Sequence, residues 1–190
     1  MPIPRRALLA LPALAASAAP ALGQRTRYDF TEREGEIGFT ARHLGVMSSQ
    51  GRFQRFRATL FITPDRPTDA EVLCEVETAS ATVPFPGAEE LLRSAPFFDV
   101  DNHPLARFSG TATGAGAAPR FPISGSLTIR AITRPFALEG RLLGRERDAE
   151  GEAARFEAAG RMSRTAFGMT AERALISDEI GLSVRVRIRV

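Results

Sequence analysis

From Tyr28 to the last residue, short runs of the chain alternate apolar with polar side chains, the period of a strand with one dry face and one wet face. The final run is the clearest: Ile180, Leu182, Val184, Val186, Ile188 and Val190 alternate with Gly181, Ser183, Arg185, Arg187 and Arg189. Val72, Cys74, Val76 and Thr78 likewise oppose Glu71, Glu75 and Glu77, with Leu73 the one apolar residue on the outer face. Phe121, Ile123, Gly125, Leu127 and Ile129 oppose Ser124, Ser126, Thr128 and Arg130, and Phe156, Ala158, Gly160 and Met162 oppose Arg155, Glu157 and Arg161. Weaker runs at 37–41, 53–62, 105–113 and 136–143, with a first strand near 28–31, raise the expectation to about eight strands. In 53–62 the parities of Phe53 and Phe56 conflict, which predicts a bulge.

Turn chemistry separates these runs: Pro64-Asp-Arg-Pro67, the Gly/Ala loop of 110–119, Thr133-Arg-Pro135 and Asp148-Ala-Glu-Gly151. One helix is predicted, between Gly87 and Ser94, where Glu89 and Glu90 precede Arg93 as the helix dipole prefers. No repeat or linker divides the chain, so the expectation is one all-β domain over 24–190. Stacked sheets and a closed barrel both bury a single apolar face. The dry faces carry Ala58, Gly110, Ala112, Gly125, Gly140, Ala158 and Gly160 among larger residues. Such small residues leave room for a cavity in a barrel of about eight strands, and they also serve simply to fit a taper.

Residues 1–23 read as a secretory signal: Arg5 and Arg6, an Ala/Leu run broken by Pro12 and Pro20, then Ala21 and Gly23 before Gln24. The run falls short of the roughly 20 apolar residues of a membrane span. Arg5-Arg6 fits a twin-arginine signal and an ordinary basic n-region equally. Either way the mature chain is expected in the periplasm or secreted. The formal net charge is +3, and loss of Arg5 and Arg6 leaves +1. There is no Lys, so the pI near 10.2 reflects a flat titration curve. Nucleic acid is not an expected partner.

The residues offer little chemistry. Two His and one Cys are too few for a zinc site without carboxylates, and no Gly-x-Ser-x-Gly elbow is present. Gly114-Ala-Gly116 lacks the third glycine and following helix of a dinucleotide loop. Cys74, on a dry face, reads as an inert buried thiol. Arg185, Arg187 and Arg189 form a row expected to pair with acids such as Glu75 or Glu157 on neighbouring strands. Arg164, next to a strand end, suits a guanidinium that ties a loop to the rim or binds an anionic headgroup, and His43 suits a hydrogen bond to backbone or a polar contact at a cavity mouth. No metal, cofactor or catalytic residue is expected.

Several stretches together resemble the YceI family of secreted, polyisoprenoid- and lipid-binding proteins. They are Phe39-Thr-Ala-Arg-His43-Leu-Gly45 with Gly51-Arg-Phe53-Gln-Arg-Phe56, Leu92-Arg-Ser94-Ala-Pro-Phe97-Phe98-Asp99, His103-Pro104-Leu-Ala-Arg-Phe108, Gly125-Ser-Leu127-Thr128-Ile129-Arg130 leading to Thr133-Arg134-Pro135, and Arg164-Thr-Ala-Phe167-Gly168-Met169. The resemblance implies a lipocalin-like closed antiparallel barrel whose interior accepts the isoprenoid tail of a quinone or polyprenyl phosphate. It departs from the family where Ala88-Glu89-Glu-Leu91-Leu92 replaces an Arg-Asp pair and a His, where Ala131 replaces a Gly, and where an early His-Ser pair is missing around Glu34 to Glu36.

The expected function is therefore binding or carriage of a long isoprenoid lipid, without catalysis. The ligand would lie against Phe39, Phe53, Val76, Leu92, Phe98, Phe108, Leu127, Phe156, Phe167 and Met169, with His43 and Arg164 as headgroup candidates. Transient membrane contact and a homodimer are the other expected associations. Two further readings stand behind this one: a solid-cored barrel acting through its surface as a stress-related interaction module, and a lipid-modifying enzyme.

Overall fold

The computed structural model describes residues 25–63, 66–115, 118–149 and 151–189. The expected signal at 1–23, the Pro64-Asp65 turn, Gly116-Ala117, Glu150 and Val190 lie outside the described residues. The strands are β1 (Thr26–Thr31), β2 (Gly35–His43), β3 (Met47–Phe53), β4 (Phe56–Thr63), β5 (Arg66–Glu77), β6 (Ala81–Thr82), β7 (Leu105–Ala112), β8 (Arg120–Ile129), β9 (Ile132–Asp148), β10 (Gly151–Ser163) and β11 (Ile176–Arg189). One helix, α1 (Ala88–Arg93), and two 3-10 turns, Thr78–Ser80 and Thr165–Phe167, interrupt them.

All eleven strands join one antiparallel sheet in the order β1-β4-β5-β7-β8-β9-β10-β11-β2-β3-β6. This corrects the expected closed barrel of about eight strands. The sheet is a curled half-barrel whose end strands β1 and β6 pair with β4 and β3 and not with each other. The reason is local. Between Phe53 and Phe56 the chain leaves the ladder: Gln54 N donates to Ser80 O at 3.0 Å, Arg55 N to Ser80 Oγ at 3.1 Å, and Glu77 N to Arg55 O at 3.1 Å. Across that step the neighbours change from β2 and β6 to β1 and β5. The expected bulge at 53–56 is thus a strand break. It resets the facing, so that Phe53 and Phe56 are both buried despite their parity.

A bulge does occur elsewhere. On the β9–β10 ladder Phe156 faces Leu142, but Arg155 faces Gly144 and Ala154 faces Arg145, leaving Leu143 as the extra residue. Even-numbered residues of β9 share the inner face above this point and odd-numbered ones below it, because directly opposed residues point to the same side of a sheet.

The small residues on the inner face do not all leave room. A Cβ on Gly51 would run into the Phe39 ring, and one on Gly140 into the Phe121 ring. Both rings therefore rest against bare backbone, in space that a side chain at either glycine would otherwise take. Two buried clusters follow, one around Ile37, Phe53, Phe98, Leu127, Phe136 and Met162, the other around Ala70, Ala112, Phe121, Ile123 and Ala158.

Two arginines fasten the end of the sheet near α1. The Arg164 side chain is 2% exposed, and its guanidinium donates to four carbonyls: Ser177 O at 3.0 Å, Met169 O at 2.8 Å, Ala171 O at 2.7 Å and Ile176 O at 2.9 Å. It thereby holds the whole 165–176 connection to the start of β11. Burial lowers its pKa, partly offset by the nearby Asp178 carboxylate. Arg130 donates to Phe97 O at 3.1 Å and Gly168 O at 2.6 Å. Arg130 and Ala131 form the two-residue turn between Ile129 and Ile132, with φ of 52° and 59°. Positive φ at both positions is the geometry in which a Cβ is penalised and glycine is not.

Two outcomes are expected. Arg164→Gln strands several buried carbonyls and costs about 3 kcal/mol, seen as a fall in Tm of roughly 10 °C. Ala131→Gly relieves the turn and gains about 0.5–1 kcal/mol, seen as a rise in Tm of about 2 °C by thermal unfolding.

Candidate functional site

The inner face of the curled sheet walls a cavity of about 1010 Å³. That is at the upper end of the ~300–1,000 Å³ of ligand pockets. Its walls come from every major strand: Ile37 and Phe39 of β2, Leu60 of β4, Val72 and Val76 of β5, Phe108 of β7, Phe121 and Leu127 of β8, Phe136 of β9, Phe156 of β10, and Leu182, Val184, Val186 and Ile188 of β11. Ring contacts stiffen these walls. Phe39 and Phe53 lie 5.3 Å apart between centroids, Phe53 meets Phe98 edge-on at 5.8 Å, Phe108 meets Phe136 at 6.2 Å, and Phe121 meets Phe156 at 6.1 Å.

Of the residues nominated from sequence, Phe39, Phe53, Val76, Leu92, Phe98, Phe108, Leu127, Phe156 and Met169 line this cavity. Phe167 does not. Its place in the Thr165–Phe167 turn sends the ring into the buried cluster with Phe98, Ile129 and Met162, so it is structural core. His43 and Arg164 both border the cavity. His43 Nε2 is 2.6 Å from Ser49 Oγ, a side-chain contact in place of the expected backbone bond. The four carbonyls occupy Arg164, which leaves it little capacity for a headgroup and makes it the tie of the two roles considered.

Cys74 stands in the same wall, and burial pushes its thiol up to about 12, with the Glu75 charge adding to the effect. Outside, the arginine row pairs much as expected. Arg185 reaches Glu157 at 3.2 Å, Arg187 reaches Glu146 at 2.7 Å, and Arg189 reaches Asp148 at 3.2 Å, whereas Glu75 pairs instead with Arg57 and Arg107. Among the described residues no group of three or more His, Cys, Asp or Glu could hold a metal ion.

The periodicity missed the rim. Leu44, Met47, Phe85, Leu91 and Leu175 border the cavity yet remain 42–61% exposed, in loops, at the start of β3 and on α1, at the end of the sheet where Leu44 N bonds Leu175 O at 3.0 Å. All but Met47, which opens β3, sit outside the strands, so no alternation marks them. Their one signal in the sequence is an apolar residue in turn-rich surroundings.

Known proteins were compared with this arrangement. Residues 28–188 match the YceI-like domain. A UPF0312 protein of Pectobacterium atrosepticum is 29% identical over 185 residues, 96% of each chain. Protein YceI of Salmonella arizonae is 30% identical over 159 residues, 82% of this chain and 83% of the other. Among solved structures, BcnA of Burkholderia cenocepacia superposes with a TM-score of 0.70 at 16% identity, over 81% of this chain and 96% of that one. A polyisoprenoid binding domain from Saccharophagus degradans, implicated in plant cell wall breakdown, superposes at 0.55 with 11% identity, over 86% of this chain and 98% of that one. These superpositions show a shared fold. The sequence match runs from the first described strand to the last, and the chain belongs to the YceI-like domain family.

Proposed function

We propose that this chain is an exported, non-catalytic carrier that holds a long isoprenoid or related lipid, of quinone or polyprenyl type, inside the curled sheet. The cavity carries this reading: about 1010 Å³ lined almost wholly by Phe, Leu, Ile, Val, Met and Ala. Such a space rewards an apolar chain. Each buried CH₂ contributes about 0.8 kcal/mol, so about ten tail carbons supply about 8 kcal/mol and roughly micromolar binding before entropic costs. The shared fold with a polyisoprenoid binding domain supports the same ligand class. Export rests on the N-terminal pattern of Arg5, Arg6 and the Ala/Leu run. Transient membrane contact and a homodimer are carried from the sequence as part of the same proposal.

The direct test is organic extraction of the protein purified from its native host, followed by mass spectrometry. One long-chain isoprenoid in near-stoichiometric amount is expected, and a folded protein that yields no lipid overturns the carrier reading. Phe108 lies between Cys74 and Leu127 in the ladder with its ring in the cavity. Phe108→Arg places a charge there and is expected to abolish loading; normal loading in a folded variant contradicts the proposed binding surface. Cys74 supplies an internal probe. With its thiol pushed up to about 12, native protein at pH 8 should react with an aqueous disulfide reagent roughly a thousandfold more slowly than free cysteine. Unfolding should restore the ordinary rate, and a native rate equal to that of free cysteine contradicts a dry wall at this position.

A further inference from the structure

Three arginines border the cavity, and they differ in what holds their side chains. Arg164 is taken up by four carbonyls. Arg185, on the outer face of its strand, is bound to Glu157, which Arg141 also holds at 3.2 Å. Arg145 has no hydrogen bond or ion pair among the described residues. The acid beside it in sequence, Glu146, is engaged by Arg155 at 3.5 Å and Arg187 at 2.7 Å.

The position of Arg145 follows from the β9 bulge. In unbroken register Gly144 would oppose Ala154 and Arg145 would face solvent with the other outer charges. The extra residue Leu143 shifts the pairing, so Arg145 opposes Ala154, a buried cavity residue, with Ile188 beyond it on β11. A bulge that re-aims one side chain commonly marks a functional position. Here it puts an unpaired cation at the end of an apolar cavity while leaving it hydrated, since Arg145 is exposed.

The opposite end of the sheet has the reverse character. There His43 is paired with Ser49, Arg164 is held by four carbonyls, and the exposed rim of Leu44, Met47, Phe85 and Leu175 is apolar. We infer that the ligand is an amphiphile with an anionic end, a phosphate or carboxylate, seated against Arg145, and that its tail runs through the cavity towards Leu44 and Phe85. This rests on the carrier reading and adds charge and direction to it. A guanidinium fork matches an oxyanion through two parallel hydrogen bonds, which an ammonium reproduces only in part.

Calorimetric titration of the purified chain with farnesol, farnesyl phosphate and inorganic phosphate tests the inference. Wild type should bind farnesyl phosphate about tenfold more tightly than farnesol, and millimolar inorganic phosphate should leave farnesol binding unchanged. Arg145→Gln should bring the two amphiphiles within about twofold of each other with farnesol affinity and Tm unaltered, and Arg145→Lys should keep part of the preference. An Arg145→Gln variant that retains the full preference, a wild type that shows none, or inorganic phosphate that binds as tightly as farnesyl phosphate overturns the assignment while the carrier reading stands. Failure of both amphiphiles to bind wild type would instead count against the carrier reading itself.

Discussion

The structure depends on burying one continuous apolar face by curling it rather than by stacking it. The inner side chains of β2, β5, β7, β8, β9, β10 and β11 point towards a common centre, and the radius of a sheet this wide exceeds what side chains can span. They pack sideways against one another and against bare backbone at Gly51 and Gly140. The space left over is the cavity. A ligand in that space would complete the burial that the chain alone leaves unfinished, which would link the apolar faces that drive folding to the surface proposed for binding.

Polar groups are arranged so as not to disturb that face. The outer ion pairs are solvent-exposed and individually weak, yet they keep the arginines of β11 engaged with Glu157, Glu146 and Asp148 outside the wall. Inside, Arg164 is the exception. Its four carbonyl partners satisfy a buried cation without a carboxylate, and they anchor the connection that shapes one end of the cavity. Burial outweighs the pull of the nearby Asp178 carboxylate and lowers the pKa, and the four carbonyls that hold the guanidinium make this side chain serve architecture.

Much of the fold was legible. Among the described residues the dry faces of β5, β8, β10 and β11 follow the alternation, as does Leu73 on the outer side of β5. The short helix and the Asp148–Gly151 turn were visible too. Met47–Phe53 was not, because Met-Ser-Ser-Gln-Gly carries no apolar alternation; β3 exists through its partners β2 and β6. Phe167 was misplaced because a 3-10 turn has neither strand nor helix period, so its facing had no local rule. Arg145 lies beyond the 136–143 run, and nothing at Leu143 announces the extra residue that turns it inward.

The sequence by itself determined the class and most of the strand faces. Each follows from a local property: a side-chain period of two, with turn residues between runs. Tertiary structure alone decided the strand count, the break at Gln54–Arg55, the bulge at Leu143 and the hollow centre. These depend on which strands meet and in what register. Hydrogen bonds between residues far apart in the chain set that register, and a pattern read along the chain carries no term for it.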